Sequence, residues 1–287
     1  MRSTKMYITK VFFSAKWLLT AITIFCFFTN LQAASARRVL EDKSKKTITA
    51  TLKTEDVEGT TVANVIYPQI LVGNENEANS YIEKFSENRR DYLIRMYKKG
   101  KSFFPKITKT FKRYNLPQEL KVLIALESAF NGNATSHAGA VGYWQIMDEV
   151  AKEYGLRYIS QPTAEEKKLA AKNKALKNPD TVTSKKPTIK DERKNFHKST
   201  HAAAKYLRDR YRNLGNNTLL VVASYNCGVG NVWEAIRKSG KNNATFWDIK
   251  THLPAETRNY VMNFIALNVI YNNYDKFLSG TLRFKGE

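Results

Sequence analysis

Four segments far apart in the chain interrupt apolar, glycine-marked stretches with polar side chains. They are Glu127-Ser-Ala-Phe-Asn-Gly-Asn-Ala-Thr-Ser136, Gly139-Ala-Val-Gly-Tyr-Trp-Gln-Ile-Met147, Ala223-Ser-Tyr-Asn-Cys-Gly-Val-Gly230 and Glu256-Thr-Arg-Asn-Tyr-Val261. Ahead of the first, Pro117 suits the opening turn of a helix, and Leu120, Leu123 and Ile124 mark its buried stripe. Glu127 continues that stripe one turn further. A carboxyl set against apolar neighbours holds its proton toward neutrality, and can donate it to a reacting group and take one back. Position alone does not decide this, because an arbitrary glutamate at a helix end more often turns to solvent. Tyr225 and Tyr260 offer hydroxyls and ring faces, although aromatics at helical spacing usually belong to a core. Gln145 by itself reads as a surface amide.

A second chemistry is available in principle. Cys227 with His197, His201 or His252 is the raw material of a Cys/His peptidase. The burial habit of free cysteine favours a small buried thiol instead. The four histidines show no spacing suited to zinc, and phosphate-binding glycine motifs are absent. No metal site and no cofactor are expected.

The elements that must position these residues read as helices. From about 74 to 114 the apolar positions Tyr81, Phe85, Tyr92, Ile94, Met96, Tyr97, Ile107 and Phe111 recur at roughly helical spacing, broken at Gly100 and Pro105. Helical patterning returns at His201–Leu207 and runs through Tyr211. Thr218–Asn226 is apolar and closed by Gly228. The last helix opens with Pro254 and Glu256 and stays apolar through Val261, Phe264, Ile265, Leu267 and Ile270. Residues 37–73 read as a linker or extended lead-in. A basic insertion spans 161–198, reading as a solvated surface, and 276–287 as a tail. With no hairpin signal after residue 74, the fold class is mainly α.

Taken in order, the four segments resemble the soluble lytic transglycosylase domain, more narrowly the membrane-bound lytic transglycosylase D type. That family shows a Glu-Ser helix end, a Gly-x-Trp-Gln or Gly-Leu-Met-Gln-like segment, an Ala-Tyr-Asn segment and a late Glu-Thr-x-x-Tyr. Leu116-Pro117 ahead of the first segment and Asp191-Glu-Arg193 leading into Ala202–Leu207 add to the match, which covers about 100 to 275. The resemblance implies a lysozyme-like helical domain over 115–275, with 74–114 as an N-terminal helical extension. It implies a cleft for alternating N-acetylglucosamine and N-acetylmuramic acid. It further implies cleavage of the β-1,4 bond with formation of a 1,6-anhydromuramic end, without consuming water. The match puts the catalytic acid at Glu127, groove-lining residues at Ser136, Gln145 and Met147, and sugar-holding residues at Tyr225, Asn226 and Tyr260. Tyr143-Trp144 stands where many relatives carry Leu-Met, Ser224 where Ala is usual, and Cys227 where Ala or Ser is common.

Most glycosidases need two carboxyl groups. Near Glu127 the sequence offers only Asp148 and Glu149, which look like the start of the next helix, where acids favour the dipole. A single acid suffices if the substrate's N-acetyl oxygen stabilises the developing cation and its C6 hydroxyl closes the ring.

Composition fits an exported partner of polyanions. The chain has 287 residues, 43% of them hydrophobic, so a packed core is available. Residues 1–36 carry basic side chains, then the apolar run 17–28, then Ala33-Ala-Ser-Ala36, the layout of a secretory signal. The apolar run is too short to span a membrane. Cys26 leaves with that segment, so no intramolecular disulfide is expected. The net charge of +21 calls for a polyanionic partner. For an exported protein that is cell-wall glycan strands, with peripheral contact to membrane or wall polyanions, and not nucleic acid. Two rivals share the groove: a lysozyme-like hydrolase and a non-catalytic wall-binding protein.

Overall fold

The computed structural model describes residues 63–160 and 190–285, with isolated helical positions at 165, 168, 169 and 172. The secretory-type segment 1–36, most of the lead-in and most of the basic insertion lie outside the described residues. The chain divides into two units, Glu55–Thr135 with Gly139–Glu287, and Met1–Thr54 with Ser136–Ala138. The larger one carries every element named below.

Its helices, in order, are α1 Glu75–Asn88, α2 Arg90–Gly100, α3 Phe104–Arg113, α4 Leu123–Ser128, α5 Asp148–Glu153 and α6 Phe196–Asn213. They continue with α7 Thr218–Cys227, α8 Val229–Ser239, α9 Phe246–Ile249, α10 Ala255–Asn272 and α11 Tyr274–Ser279. Among the described residues the extended structure amounts to isolated antiparallel bridges, Thr135 with Val141 and Val141 with Ile146. The fold is mainly α.

α10 is the core helix, and its sequence shows why. Val261, Met262, Phe264, Ile265, Ala266, Leu267, Val269 and Ile270 cover most of its circumference and are all buried. A helix apolar all round needs neighbours on every side. α1 and α7 pack along it, and α4 also rests on it. α7 is equally apolar, buried from Thr218 to Ser224. It starts where the Asn217 side chain accepts from Leu220 N at 3.2 Å, an asparagine cap on an otherwise orphaned amide. α6 packs against both α7 and α3, and Ala202, Ala203 and Ala204 are among the residues it buries. Asn195 caps α6 in the same way, accepting from Lys198 N at 3.0 Å.

An aromatic cluster fastens α3 to the chain after Glu127 and to α6. Phe103 lies 5.2 Å from Phe130 and 5.1 Å from Phe196, and Phe104 lies 5.6 Å from Phe130. Ring pairs at such separations add to the area they bury.

The stretch expected to be a tail begins inside α11. Tyr274 and Phe277 are buried, and Tyr274 stacks on Tyr97 at 3.5 Å. The end of the lead-in is likewise tied down. Asn64 N donates to Arg283 O at 3.1 Å, Arg283 N returns a bond to Asn64 Oδ1 at 3.0 Å, and Ile66 N donates to Asn273 Oδ1 at 2.8 Å.

Candidate active site

Glu127 sits in the last turn of α4, a helix of only six residues. Leu123 and Ile124 are buried, as the stripe predicts, and Ala125 is buried with them. The chain then breaks sharply, because Ala129 and Phe130 both adopt left-handed backbone, φ 49 and 61. Two such L-residues in succession cost roughly 1–2 kcal/mol each. Three contacts hold them there: Lys99 Nζ donates to Ala129 O at 2.7 Å, Ser128 Oγ to Tyr143 O at 2.8 Å, and Phe130 is buried in the aromatic cluster. The break halts α4 right after Glu127, so its carboxyl stands at the negative end of the helix dipole, where ionisation is disfavoured.

The Tyr260 hydroxyl, from the second turn of α10, donates to Glu127 Oε1. Burial pushes the Glu127 carboxyl up to about 7, because a charge out of water is costly. The Tyr260 hydrogen bond acts against that rise, and the negative charge of Glu256 adds to it. The hydroxyls of Tyr225 and Tyr260 are held well above the ordinary tyrosine value, first by burial and then by the Glu127 charge. Both therefore remain protonated donors through the neutral range. Tyr206 of α6 joins them, its ring edge-on to Tyr225 at 5.6 Å.

The segment 139–147 forms a tight turn beside this carboxyl. Gly142 at φ 83 and Gln145 at φ 47 set its corners. Gly142 is a steric requirement: a Cβ there would lie 2.1 Å from Arg193 O, at a φ that glycine alone takes freely. Side chains take up the turn's carbonyls. Ser128 bonds Tyr143 O, and the Tyr225 hydroxyl donates to Trp144 O at 2.7 Å. Gln145 Nε2 donates to Gly142 O at 2.9 Å and Ala134 O at 3.2 Å. The fully buried Trp144 donates its indole N–H to Thr200 Oγ1 at 3.0 Å.

The structure thus brings Glu127, Tyr225 and Tyr260 together electrostatically, with Tyr225 and Gln145 tied into the turn. Asn226 lies beside Tyr225 on α7 and accepts from Thr257 Oγ1 at 2.7 Å, which commits its oxygen and leaves donation to the amide NH2. Met147 is half-buried and stands immediately before α5. Ser136 belongs to the smaller unit, and its groove-lining role rests on sequence.

Sequence reasoning quoted Arg193 within the Asp191-Glu-Arg193 match and gave it no role. It is 0% exposed, pairs with Asp191 at 2.7 Å and with Asp148, and donates to Ile159 O at 2.9 Å and Ile146 O at 3.3 Å. Its own backbone carbonyl is the one packed against Gly142, so this one residue ties the 139–147 turn to the segment that leads into α6. Glu256 was read as the start of the fourth segment and as a first-turn acid, with no role assigned, whereas it lies near enough to act on Glu127. Asp148 is spent on Arg193, and Glu149 is exposed. Cys227 is half-buried, and burial raises its thiol above the ordinary value, the reverse of an activated nucleophile. Among the described residues no group of His, Cys, Asp and Glu is arranged to hold a metal ion.

Residues 105–247, which carry α4, the turn and α7, match the transglycosylase SLT domain. The chain carries a transglycosylase SLT domain. The membrane-bound lytic murein transglycosylase D of Escherichia coli K12 is 29% identical over 197 residues, 68% of this chain and 37% of that protein. Its counterpart in Escherichia coli O6:H1 matches to the same extent. The chain therefore spans little more than a third of the length of these relatives. Among solved structures, the 70 kDa soluble lytic transglycosylase of Escherichia coli gives a TM-score of 0.41 at 24% identity, covering 61% of this chain and 25% of that one. The 70 kDa enzyme in complex with bulgecin A gives 0.43 at 21%, covering 76% and 34%. The SLT domain model stops before Tyr260, the residue that contacts the acid.

Proposed function

We propose that this chain is a peptidoglycan lytic transglycosylase that cleaves the β-1,4 bond between N-acetylmuramic acid and N-acetylglucosamine. The observation that carries it is the Glu127 carboxyl, held in its neutral form up to about pH 7 by burial while bonded to Tyr260. Such an acid can protonate the glycosidic oxygen as the C1–O bond breaks. The substrate's N-acetyl oxygen stabilises the positive charge at C1. The Glu127 carboxylate then takes the proton from the C6 hydroxyl as O6 attacks C1, which closes the 1,6-anhydro ring and restores the acid. Bond and proton counts balance without water.

Tyr260 orients the carboxyl and, by donating to it, stabilises the anion left after the first transfer. Tyr225 fixes the turn that carries Tyr143-Trp144 and Gln145, and the Asn226 amide can donate to an acyl oxygen. The substrate is the glycan strand of the cell wall, and the place of action is the cell envelope. Among the described residues no helix is long and apolar enough to cross a membrane.

Glu256 supports one competing reading. A hydrolase needs a second carboxylate to activate water, and Glu256 is the acid whose charge reaches Glu127. Mass spectrometry of muropeptides released from purified sacculi separates the two. Anhydromuramic ends from wild type and none from Glu127→Gln support transglycosylation, reducing muramic ends mean hydrolysis, and sacculus binding without release means a wall-binding protein.

A further inference from the structure

A concave surface of about 360 Å³ lies where α3 and α6 end, lined by Arg113, Arg208 and Arg212 together with Tyr114, Tyr211, Asn115 and Asn216. None of these residues takes part in the Glu127 site. The volume is that of a small-ligand pocket. Its walls are built rather than incidental. The Arg208 guanidinium sits over the Tyr114 ring at 5.7 Å, the Tyr114 hydroxyl contacts His201 Nδ1 at 3.1 Å, and Asn216 N donates to Tyr211 O at 2.8 Å. The first of these is a cation held on a ring face. Asn115 and Asn216 hold left-handed backbone, φ 53 and 60, a conformation asparagine tolerates better than most residues.

Two ordinary features draw arginines to this place. Cations gather at helix C-termini, and α3 and α6 each contribute roughly half a negative charge there. Arg208 is also paired with Asp209 at 3.2 Å. Against three guanidinium charges these terms, together about −2, leave a positive remainder. Among the described residues no carboxylate lines the surface. His201, behind Tyr114, is held below the ordinary histidine value by burial first, then by the charges of Arg113, Lys205 and His197, so the cationic field is felt by a neighbouring group.

We infer that this pocket is a second ligand site, which takes a phosphate-bearing ligand about the size of one phosphorylated sugar. A carboxylate offers two oxygens and is satisfied by a single arginine fork. Three arginines and two asparagines lining one concavity suit the three charged oxygens and higher charge of a phosphate. Tyr114 and Tyr211 add ring surface for the carbon skeleton. The phosphate can belong to a soluble phosphosugar or to a lipid headgroup, and the chemistry at the arginines is the same.

The site can be tested on Glu127→Gln protein, so that its outcome is independent of the catalytic reading. Calorimetric titration at low salt with inorganic phosphate, glucose 6-phosphate and acetate is compared between that protein and a form also carrying Arg113→Gln and Arg212→Gln. Both arginines are exposed, so the substitutions remove charge without opening the core. Lys98→Gln with Lys106→Gln, exposed on α2 and α3, controls for overall charge. Glucose 6-phosphate should bind, tighter than acetate, and lose at least tenfold in affinity in the arginine pair while changing less than twofold in the lysine pair. Sedimentation with vesicles of phosphatidylglycerol in phosphatidylcholine reads the lipid source: retention lost in the arginine pair and kept in the lysine pair supports the site with a headgroup as its ligand. The inference is overturned if acetate matches the phosphates, if both pairs lose affinity equally, or if neither soluble phosphate nor vesicles bind.

Discussion

The Tyr260 hydroxyl donates to Glu127 Oε1 across 133 residues of sequence, joining the end of α4 to the start of α10. This bond opposes the burial that raises the carboxyl, and Glu256 reinforces the rise. The two neighbours therefore pull the acid's titration in opposite directions.

With Glu127 titrating at about 7, kcat/KM should be level below that pH and fall about tenfold per unit above it, because the protonated acid is the active form. Tyr260→Phe removes a donor to the anion, so the descending limb should move to higher pH while kcat drops. Glu256→Gln removes a like charge, so the limb should move to lower pH. Muropeptide release measured across the neutral range checks both; shifts in the same direction would contradict the site as described.

The same burial ties stability to pH. The folded state holds the Glu127 proton up to about pH 7, and the unfolded chain releases it near the ordinary 4.5. The unfolded state therefore binds fewer protons in that window, and stability should decline as pH rises from about 4.5 through about 7. Glu127→Gln abolishes this dependence. Its Tm advantage over wild type should be smallest below about pH 4.5, grow up to about 7 and level off above that.

Gly142→Ala places a methyl group against the Arg193 carbonyl, at a backbone φ that alanine adopts only under strain. We expect a loss of about 3 kcal/mol or more, from strain and overpacking together. Denaturant unfolding reads the loss, and a fall in activity should accompany it, since the turn moves with Gly142.

Arg193→Ala leaves Asp191 and Asp148 without their cation, and Asp191 keeps only 5% of its side-chain exposure. Removing one partner of a buried ion pair costs about 3–5 kcal/mol, which chemical denaturation would register. Arg193→Met, which fills part of the volume, should recover little, because the stranded carboxylate dominates.

Cys227→Ser should leave glycan cleavage within about twofold, since a thiol raised by burial is no nucleophile near neutrality. Activity measured alongside Glu127→Gln separates the two residues cleanly.

Local pattern made the helices legible. The stripe through Leu120, Leu123 and Ile124 places Glu127, and the glycine after Cys227 ends α7. What pattern could not reach is contact between residues far apart in the chain. Arg193 looks like one charge among many in a basic stretch, yet it is buried because Asp148 and Asp191 fold around it. Glu256 is visible as a helix-start acid, and its proximity to Glu127 depends on how α10 crosses α4. Gln145 carries a polar side chain whose amide turns inward to the carbonyls of its own turn, which spacing alone does not reveal.

Asn64 and Arg283 clasp each other through two backbone-anchored hydrogen bonds. Near its two ends, the described helical body is therefore joined to itself. A leash on either side would hold the helical body by the same point, and the two ends could be stitched together with a short linker and the chain reopened elsewhere without unpicking α10.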